Sequence, residues 1–160
     1  MKVSEHISIG EATRSQTATR KGIDNTPDER QLGNMQRVAN DCFEPLRRAK
    51  NIPIGISSFF RCPNLNKAIG GSETSQHCAT EDSKGINAAA IDIDADIYGG
   101  ITNREIFTWL KANVEFDQLI WEFGTDENPN WVHISRREHS NRNQILRAIR
   151  KNGRVSHELL

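Results

Sequence analysis

With 160 residues, the chain has the length of one domain and can bury a core without disulfide or metal staples. Basic residues (Lys and Arg) and acidic residues (Asp and Glu) both number 21, so the net charge of zero gives no general attraction to nucleic acid or to a membrane surface. An odd number of cysteines, three, is typical of a reducing compartment and argues against a disulfide framework. We therefore expect one domain over residues 1–160, a monomer with no nucleic-acid partner and no membrane insertion.

The amino-terminal segment, residues 1–16, lacks the apolar stretch of a secretory signal peptide. No run of about 18 apolar residues, the length of a membrane-spanning helix, occurs anywhere in the sequence. We therefore expect the protein to be made in the cytoplasm without a signal peptide.

The first half of the chain predicts helices followed by one strand. Residues 8–12 favour a short helix, and Thr26 before Pro27 favours the amino-terminal cap of a longer one. Pro45 predicts a kink or a break late in that helix. The alternating segment 52–59 predicts a strand. Apolar residues at helical spacing support the long helix, namely Leu32, Met35, Val38, Ala39, Cys42, Phe43 and Leu46.

The second half of the chain predicts three further strands and two helices. The strands fall at 88–97, 116–123 and 131–135, and a helix over 103–113 separates the first two. The segment 141–151 is basic and has apolar residues at helical spacing, which predicts an amphipathic carboxy-terminal helix. This order predicts an α+β fold in which a small, mainly antiparallel sheet has flanking helices.

Two histidines and an aspartate on three different elements are candidate metal ligands. His77, Asp92 and His133 each have small or apolar neighbours, so a strand or strand edge can direct each side chain inward. Imidazole nitrogen and carboxylate oxygen suit Zn²⁺, and a catalytic zinc site needs three protein ligands and one open position. A histidine in a loop and an aspartate in an alternating strand are also commonly solvated. The spacing alone therefore leaves both interpretations open.

Glu122 is the candidate general base of such a site. It stands alone among apolar residues in a predicted core strand, where its carboxylate must be paired or have a raised pKa. A zinc peptidase needs a carboxylate that takes a proton from water and returns it to the leaving amine. Glu127 is the alternative, but its polar loop favours exposure to solvent.

Arg61, between a predicted strand and the turn at Pro63, is a candidate substrate-binding guanidinium. It suits a substrate carboxylate or the oxygen of a polarised carbonyl, although a surface salt bridge explains it equally well. Cys78 follows His77 directly, and adjacent residues of an extended chain point to opposite faces. Cys78 is therefore a poor candidate for the same metal site.

Four separated motifs closely resemble the D-Ala-D-Ala carboxypeptidase family of zinc peptidases. That family includes phage endolysins and shares its fold and zinc site with the hedgehog signalling domain. The resemblance covers roughly residues 5–137, with the core of the domain at about 25–137, and the segment up to Pro27 is similar to phage- or prophage-encoded members. The motifs are Ser58 to Ser72, Ser75-Gln76-His77, Ala90-Ile91-Asp92-Ile93 and Trp131-Val132-His133.

The resemblance implies a hedgehog/DD-peptidase-like fold and a zinc metallopeptidase, a D,D- or L,D-type carboxypeptidase or endopeptidase that acts on peptidoglycan peptides. It also implies roles for particular residues, which we state as expectations. Zn²⁺ is expected on His77, Asp92 and His133, with Glu122 as base and Arg61 in contact with substrate. Ser75 and Trp131 are expected to flank the substrate.

One departure from the family pattern leaves an alternative ligand open. The spacing between His77 and Asp92 is longer than in the family, which indicates an insertion at 78–87. Asp94 is then a possible ligand in place of Asp92, since both belong to the same face of the predicted strand. Trp131 and Tyr98 are candidates to line the cleft, although aromatic core packing is the commoner role.

Two other functions remain open from the sequence. One is a non-hydrolytic binding module of the same fold that contains zinc, and the other is a metal-free domain that binds an anionic polymer through its basic carboxy-terminal segment. For an enzyme of the endolysin type without a signal peptide, action on the cell wall requires release by a holin, virion delivery or lysis.

Overall fold

A computed structural model describes all residues, 1–160, as six α-helices, three short helices of other types and six strands. The α-helices are α1 (Ile9–Ala12), α2 (Gln16–Lys21), α3 (Glu29–Val38), α4 (Glu44–Lys50), α5 (Pro63–Ala68) and α6 (Asn103–Asn113). A π-helical turn covers Ala39–Phe43, and 3₁₀ turns cover Gln76–Cys78 and Ala95–Ile97. The strands are β1 (Gly55–Ser58), β2 (Ala88–Asp94), β3 (Gln118–Glu122), β4 (Trp131–Arg137), β5 (Gln144–Lys151) and β6 (Arg154–Leu159).

All six strands form one sheet in the order β1-β2-β4-β3-β5-β6. Every neighbouring pair is antiparallel except β3 and β5, which run parallel. Helix α3 packs against β2, and α6 packs against β3 and β4. The predicted α+β fold with a mainly antiparallel sheet is confirmed.

The two faces of the sheet have different chemistry because successive side chains of a strand point to opposite sides. One face is apolar, and its residues join helix side chains in one buried core. Burial of each large aliphatic side chain contributes roughly 1.5–3 kcal/mol. The strand residues of this core include Ile91, Ile93, Leu119, Trp121, Val132 and Ile134, and the helix residues include Met35, Val38, Leu46, Ile106 and Leu110. The opposite face presents Asp92, Glu122 and His133.

The long helix begins and breaks for local reasons. Asp28, not Thr26 as predicted, is the amino-terminal cap of α3: its side chain accepts from the Gln31 backbone N–H, and the Gln31 side chain accepts from the Asp28 N–H. This reciprocal pair satisfies two otherwise free donors, whereas the Thr26 hydroxyl donates to Asp24. The predicted break before Pro45 is confirmed, since a π-helical turn ends at Phe43 and Pro45 lies in the first turn of α4.

The predicted carboxy-terminal helix at 141–151 is wrong. The segment forms β5 and is followed by a hairpin turn and β6. Asn152 and Gly153 both have positive φ, as the two-residue turns favoured in hairpins require. Parallel pairing with β3 provides hydrogen bonds and burial for Leu146 and Ala148, and this non-local pairing overrides the helical spacing.

None of the helices combines the length and the apolar character needed to cross a membrane.

Candidate metal centre

The register of three strands brings two of the candidate ligands together. Asp92 in β2 lies opposite His133 in β4, and His133 lies opposite Ile120 in β3. Directly paired residues project to the same face of a sheet. His77 reaches the same point from the 3₁₀ turn that precedes β2.

The three side chains converge on one point. Oδ1 of Asp92 lies 2.9 Å from Nδ1 of His133 and 3.2 Å from Nε2 of His77, and the ligand atoms all lie within 4.8 Å of one another. Tetrahedral zinc with bonds of about 2.0 Å separates its donor atoms by about 3.3 Å. The side chains of Asp92 and His133 are 13% and 12% exposed, so the group is reachable from the cleft. These donors therefore fit Zn²⁺.

His77 is held in the orientation that a metal ligand needs. Its Nδ1 lies 2.7 Å from the carbonyl oxygen of Phe59, which places the ring proton on Nδ1 and leaves Nε2 facing Asp92. Metal-binding histidines usually donate their second ring N–H to such an acceptor, which fixes ring and tautomer. The backbone of the turn is fixed as well, because the Arg61 N–H donates to the His77 carbonyl and the His77 N–H donates to Ser75 Oγ.

Asp92 is an anionic ligand candidate. Burial alone would raise the pKa of this carboxyl, but the adjacent imidazoles of His77 and His133 together lower its pKa far below the usual range. The carboxylate form is therefore the stable one, as coordination of a metal requires.

Glu122 lies in the same cleft, and its pKa is raised, whereas that of Asp92 is lowered. It is 9% exposed, and burial raises its pKa to about 7, opposed by His133 and Arg61 and reinforced by the charge of Asp92. The metal-free cleft therefore holds one carboxylate that stays ionised and another that titrates near neutrality. Two carboxyl groups with separated pKa values are the arrangement from which acid–base roles are assigned.

Arg61 contributes an unpaired donor. Burial lowers the pKa of its guanidinium, and the nearby acids Asp92, Cys78 and Glu122 oppose that shift, so the group remains a cation at neutral pH. Its buried Nε has no hydrogen-bond partner. Buried polar atoms are normally satisfied, so this unpaired donor is an exception, and the Arg61 side chain lines the cleft.

These groups share one cleft of about 440 Å³. Trp131 contributes its indole to the wall and packs on Phe123 with ring centroids 5.5 Å apart. All residues predicted for the site line this cleft, namely Arg61, Ser75, His77, Asp92, Glu122, Trp131 and His133.

The alternatives considered from the sequence lie outside the cluster. Asp94 Oδ1 accepts from the Asp96 N–H and from Asn103, where it ends β2 and begins the following 3₁₀ turn. Glu127 lies in an exposed loop, and Tyr98 is 62% exposed and does not line the cleft. Cys78 is buried and is not one of the convergent ligand atoms. The geometry favours Asp92 over Asp94 and Glu122 over Glu127.

An ion-pair network that no sequence pattern predicted supports the cleft wall. The fully buried Asp117 accepts from Gln76 at 2.9 Å and from two nitrogens of Arg142 at 2.9 and 2.7 Å. Arg137 lies 3.3 Å from Asp117 and 2.6 Å from Asp82 in the loop that precedes β2. The network therefore connects this loop and the turn that carries His77 to strand β4. Its members are far apart in the chain, so no local sequence pattern predicts the network.

Two imidazoles and a carboxylate beside open space are the donor set of catalytic zinc centres, and the nearby carboxylate and guanidinium place the site in the class of metallohydrolases. The sequence profile of the family described as Peptidase M15 matches residues 5–135, most of the chain. The chain therefore belongs to the M15 family of zinc peptidases, which confirms the resemblance to D-Ala-D-Ala carboxypeptidases. A search of curated proteins finds no match. Strands β5 and β6 lie beyond the matched residues.

Proposed function

We propose that the protein is a zinc peptidase that hydrolyses peptide bonds in peptidoglycan stem peptides or cross-links. One observation carries the proposal: three potential zinc ligands converge in a cleft that also holds a carboxyl group with a pKa of about 7. Membership of the M15 family makes zinc peptidase activity the general expectation. The peptidoglycan substrate rests on the resemblance of the sequence motifs to D-Ala-D-Ala carboxypeptidases.

In this proposal His77, through Nε2, together with His133 and Asp92, would hold Zn²⁺. The metal would supply Lewis acidity, which makes water a better nucleophile and polarises the scissile carbonyl. The protein supplies the fixed donors: the Phe59 carbonyl orients His77, and the sheet register orients Asp92 and His133.

Glu122 is the proposed general base. It takes a proton from the attacking water and transfers that proton to the amine that leaves when the peptide C–N bond breaks. Burial raises the pKa of this carboxyl and so increases its affinity for the proton that it takes from water. Its position in β3, opposite Trp131 in β4, fixes it on the face that carries His133.

Arg61 is the proposed electrostatic partner of the substrate. Its side chain lines the cleft, and its charge suits a carbonyl oxygen that becomes negative during the attack, or a substrate carboxylate. Ser75 and Trp131 line the cleft beside the cluster and are proposed to contact the peptide.

The test is peptide-bond cleavage in purified peptidoglycan and in synthetic stem peptides, with products identified by mass spectrometry. Zinc-loaded wild-type protein is expected to release peptides and to define the bond and its D,D or L,D type. Glu122→Gln is expected to keep zinc and lose cleavage, whereas Glu127→Gln, the matched control in the exposed loop, keeps both. Zinc binding without cleavage by the wild type would contradict the proposal and favour a non-hydrolytic binding module.

Three further expectations belong to the same proposal and need their own measurements. They are a single domain over 1–160, a monomeric state, and action at the cell wall after release by a holin, virion delivery or lysis.

A further inference from the structure

A second cavity continues the metal cleft across the sheet. It measures about 370 Å³ and is lined by Gln118, Ile120, Gln144, Leu146, His157 and Leu159. Three of these residues, Gln118, Ile120 and His157, also line the metal cleft. The two cavities are therefore adjoining parts of one groove.

The strand register explains this continuity. Ile120 in β3 pairs with Leu146 in β5, which pairs with Leu159 in β6. In the neighbouring row, Glu122 pairs with Ala148, which pairs with His157. His157 and Glu122 thus project from the same face, about 10 Å apart, since neighbouring strands are about 4.8 Å apart. An extended peptide rises about 3.3 Å per residue, so this length corresponds to about three residues.

The chemistry of this second cavity differs from that of the metal cleft. None of its six lining residues is an acid, a lysine or an arginine, whereas the metal cleft contains Arg61, Asp92 and Glu122. The buried side chains of Ile120 and Leu146 give it an apolar floor, and the exposed Leu159 lies at its edge. Gln118 Nε2 donates to Gln144 Oε1 at 2.9 Å, which leaves the Gln118 oxygen free to accept and the Gln144 NH₂ free to donate.

His157 completes the wall of the groove. Its side chain is exposed to solvent at the groove, where the ring nitrogens of the imidazole can form hydrogen bonds with a peptide. The groove therefore matches peptide N–H and C=O groups and small apolar side chains, and it has no partner for a charged side chain.

We propose that the groove over β3, β5 and β6 binds an uncharged, extended segment of about three residues of the peptide substrate, beside the bond that is cleaved. His157 and Leu159 of the carboxy-terminal hairpin are then specificity-determining residues. This proposal rests on the proposed peptidase function and adds a preference for substrates that extend beyond the metal cleft. The hairpin lies outside the residues matched to the family, whereas Gln118 and Ile120 lie inside them.

The test compares kcat/KM for synthetic peptides that share one scissile bond. One peptide is minimal, and two others carry three added uncharged residues at either the amino or the carboxyl end. We expect the wild type to prefer one extended peptide over the minimal one by about tenfold or more. His157→Ala and Leu159→Glu are expected to reduce that preference by about tenfold. Leu159 is 79% exposed, so its replacement does not threaten folding.

Ser156→Ala is the matched control, because Ser156 precedes His157 in β6 and projects from the other face. It is expected to keep the wild-type preference. Equal kcat/KM for minimal and extended peptides in the wild type would overturn the proposal. So would a preference that His157→Ala and Leu159→Glu leave unchanged.

A binding measurement separates this proposal from the peptidase function. Calorimetric titration of zinc-loaded Glu122→Gln with the extended peptides needs no cleavage. Tighter binding of one extended peptide, weakened about tenfold when His157→Ala is added, supports the groove even if no peptide bond is cut. Equal binding with and without His157→Ala overturns the groove while leaving any measured peptidase activity intact.

Discussion

Two groups of histidine and carboxylate side chains in this molecule contain similar residue types but differ in the hydrogen bonds that they form. In both, one ligand atom from each residue lies within 4.8 Å of the others: His77, Asp92 and His133 in the metal cleft, and Glu5, His6 and Glu44 near the amino terminus. The fully buried Glu44 accepts from the His6 N–H at 2.8 Å and lies 2.7 Å from His6 Nδ1. Glu5 is exposed and pairs with Arg48.

The difference shows that outward hydrogen bonds, more than residue types, distinguish a metal site from a structural contact. In the cleft, the outer nitrogen of His77 binds a backbone carbonyl, and the inner atoms face one another beside open space. In the second group Glu44 is fully buried, and besides His6 it has a further bond from Ser4 Oγ at 2.6 Å. We therefore interpret the second group as a clasp that ties the amino terminus to α4.

The largest expected effect that separates the two groups is on catalysis. Glu122→Gln removes the proposed base and is expected to lower kcat by about 10²–10⁴-fold, the range typical of general acid–base catalysis. Glu44→Gln, in the clasp, is expected to leave kcat of the folded protein unchanged. Steady-state kinetics with zinc-loaded proteins of equal metal content makes the comparison. An unchanged kcat in Glu122→Gln would remove Glu122 from the mechanism.

Zinc is expected to stabilise the protein through the cleft and not through the clasp. A ligand that binds only the folded state adds about 4 kcal/mol to the unfolding free energy at 1,000 times its Kd. The rise in Tm on adding zinc should therefore be present in wild type and His6→Ala and absent in His133→Ala. Differential scanning calorimetry of chelator-treated protein, before and after zinc is added, measures this rise in Tm. A zinc response lost in His6→Ala and kept in His133→Ala would reverse the assignment.

The pH dependence of stability tests the environment of Glu122 without metal. Its pKa rises from 4.5 when unfolded to about 7 when folded, so the native state binds more protons between these pH values. The contribution of the protonated carboxyl is therefore full below pH 4.5 and is lost as pH rises to about 7. At about 1.4 kcal/mol per pKa unit, the loss is about 3 kcal/mol.

Denaturant unfolding of chelator-treated protein at pH 4.5 and 8 measures this loss. From pH 4.5 to pH 8, the unfolding free energy of wild type is expected to fall by about 3 kcal/mol more than that of Glu122→Gln. Glu127→Gln is the control and is expected to follow wild type. A parallel pH dependence of wild type and Glu122→Gln would show that the folded protein does not raise the pKa of Glu122.

The smallest expected effect is on the clasp itself. Glu44→Ala leaves the Ser4 hydroxyl and the His6 N–H without their acceptor and is expected to cost about 2 kcal/mol of unfolding free energy. Arg48→Ala, which removes only an exposed ion pair with Glu5, is the control and is expected to cost less than about 1 kcal/mol. Equal losses in both variants would contradict the clasp.

The sequence predicts the parts of this molecule that have local signals. Alternation located the strand that carries Asp92, apolar neighbours indicated the strand that carries His133, and four motifs in order identified the family. Glu122 was recognisable because a carboxylate among apolar strand residues needs a partner or a raised pKa. The choice between Asp92 and Asp94 needed the register, because alternation places both on one face and only pairing opposite His133 separates them.

The carboxy-terminal hairpin and the network around Asp117 escaped prediction for a different reason. Segment 141–151 has helical spacing, and its conversion to β5 depends on pairing with β3, which no local pattern reports. Asn152-Gly153 was the available signal for a hairpin turn. Contacts of Asp117 with Gln76 and Arg142 join segments distant in the chain, so they follow from the fold and not from sequence periodicity.

The central claim is that Asp92, together with His77 and His133, holds zinc. The most direct test measures the number of zinc ions per chain by mass spectrometry in wild type, Asp92→Ala and Asp94→Ala. The two positions share one strand face, but only Asp92 faces His77 and His133. The arrangement predicts about one zinc ion per chain in wild type and Asp94→Ala, and loss of zinc in Asp92→Ala. Zinc retained in Asp92→Ala and lost in Asp94→Ala, or no zinc in the wild type, would contradict it.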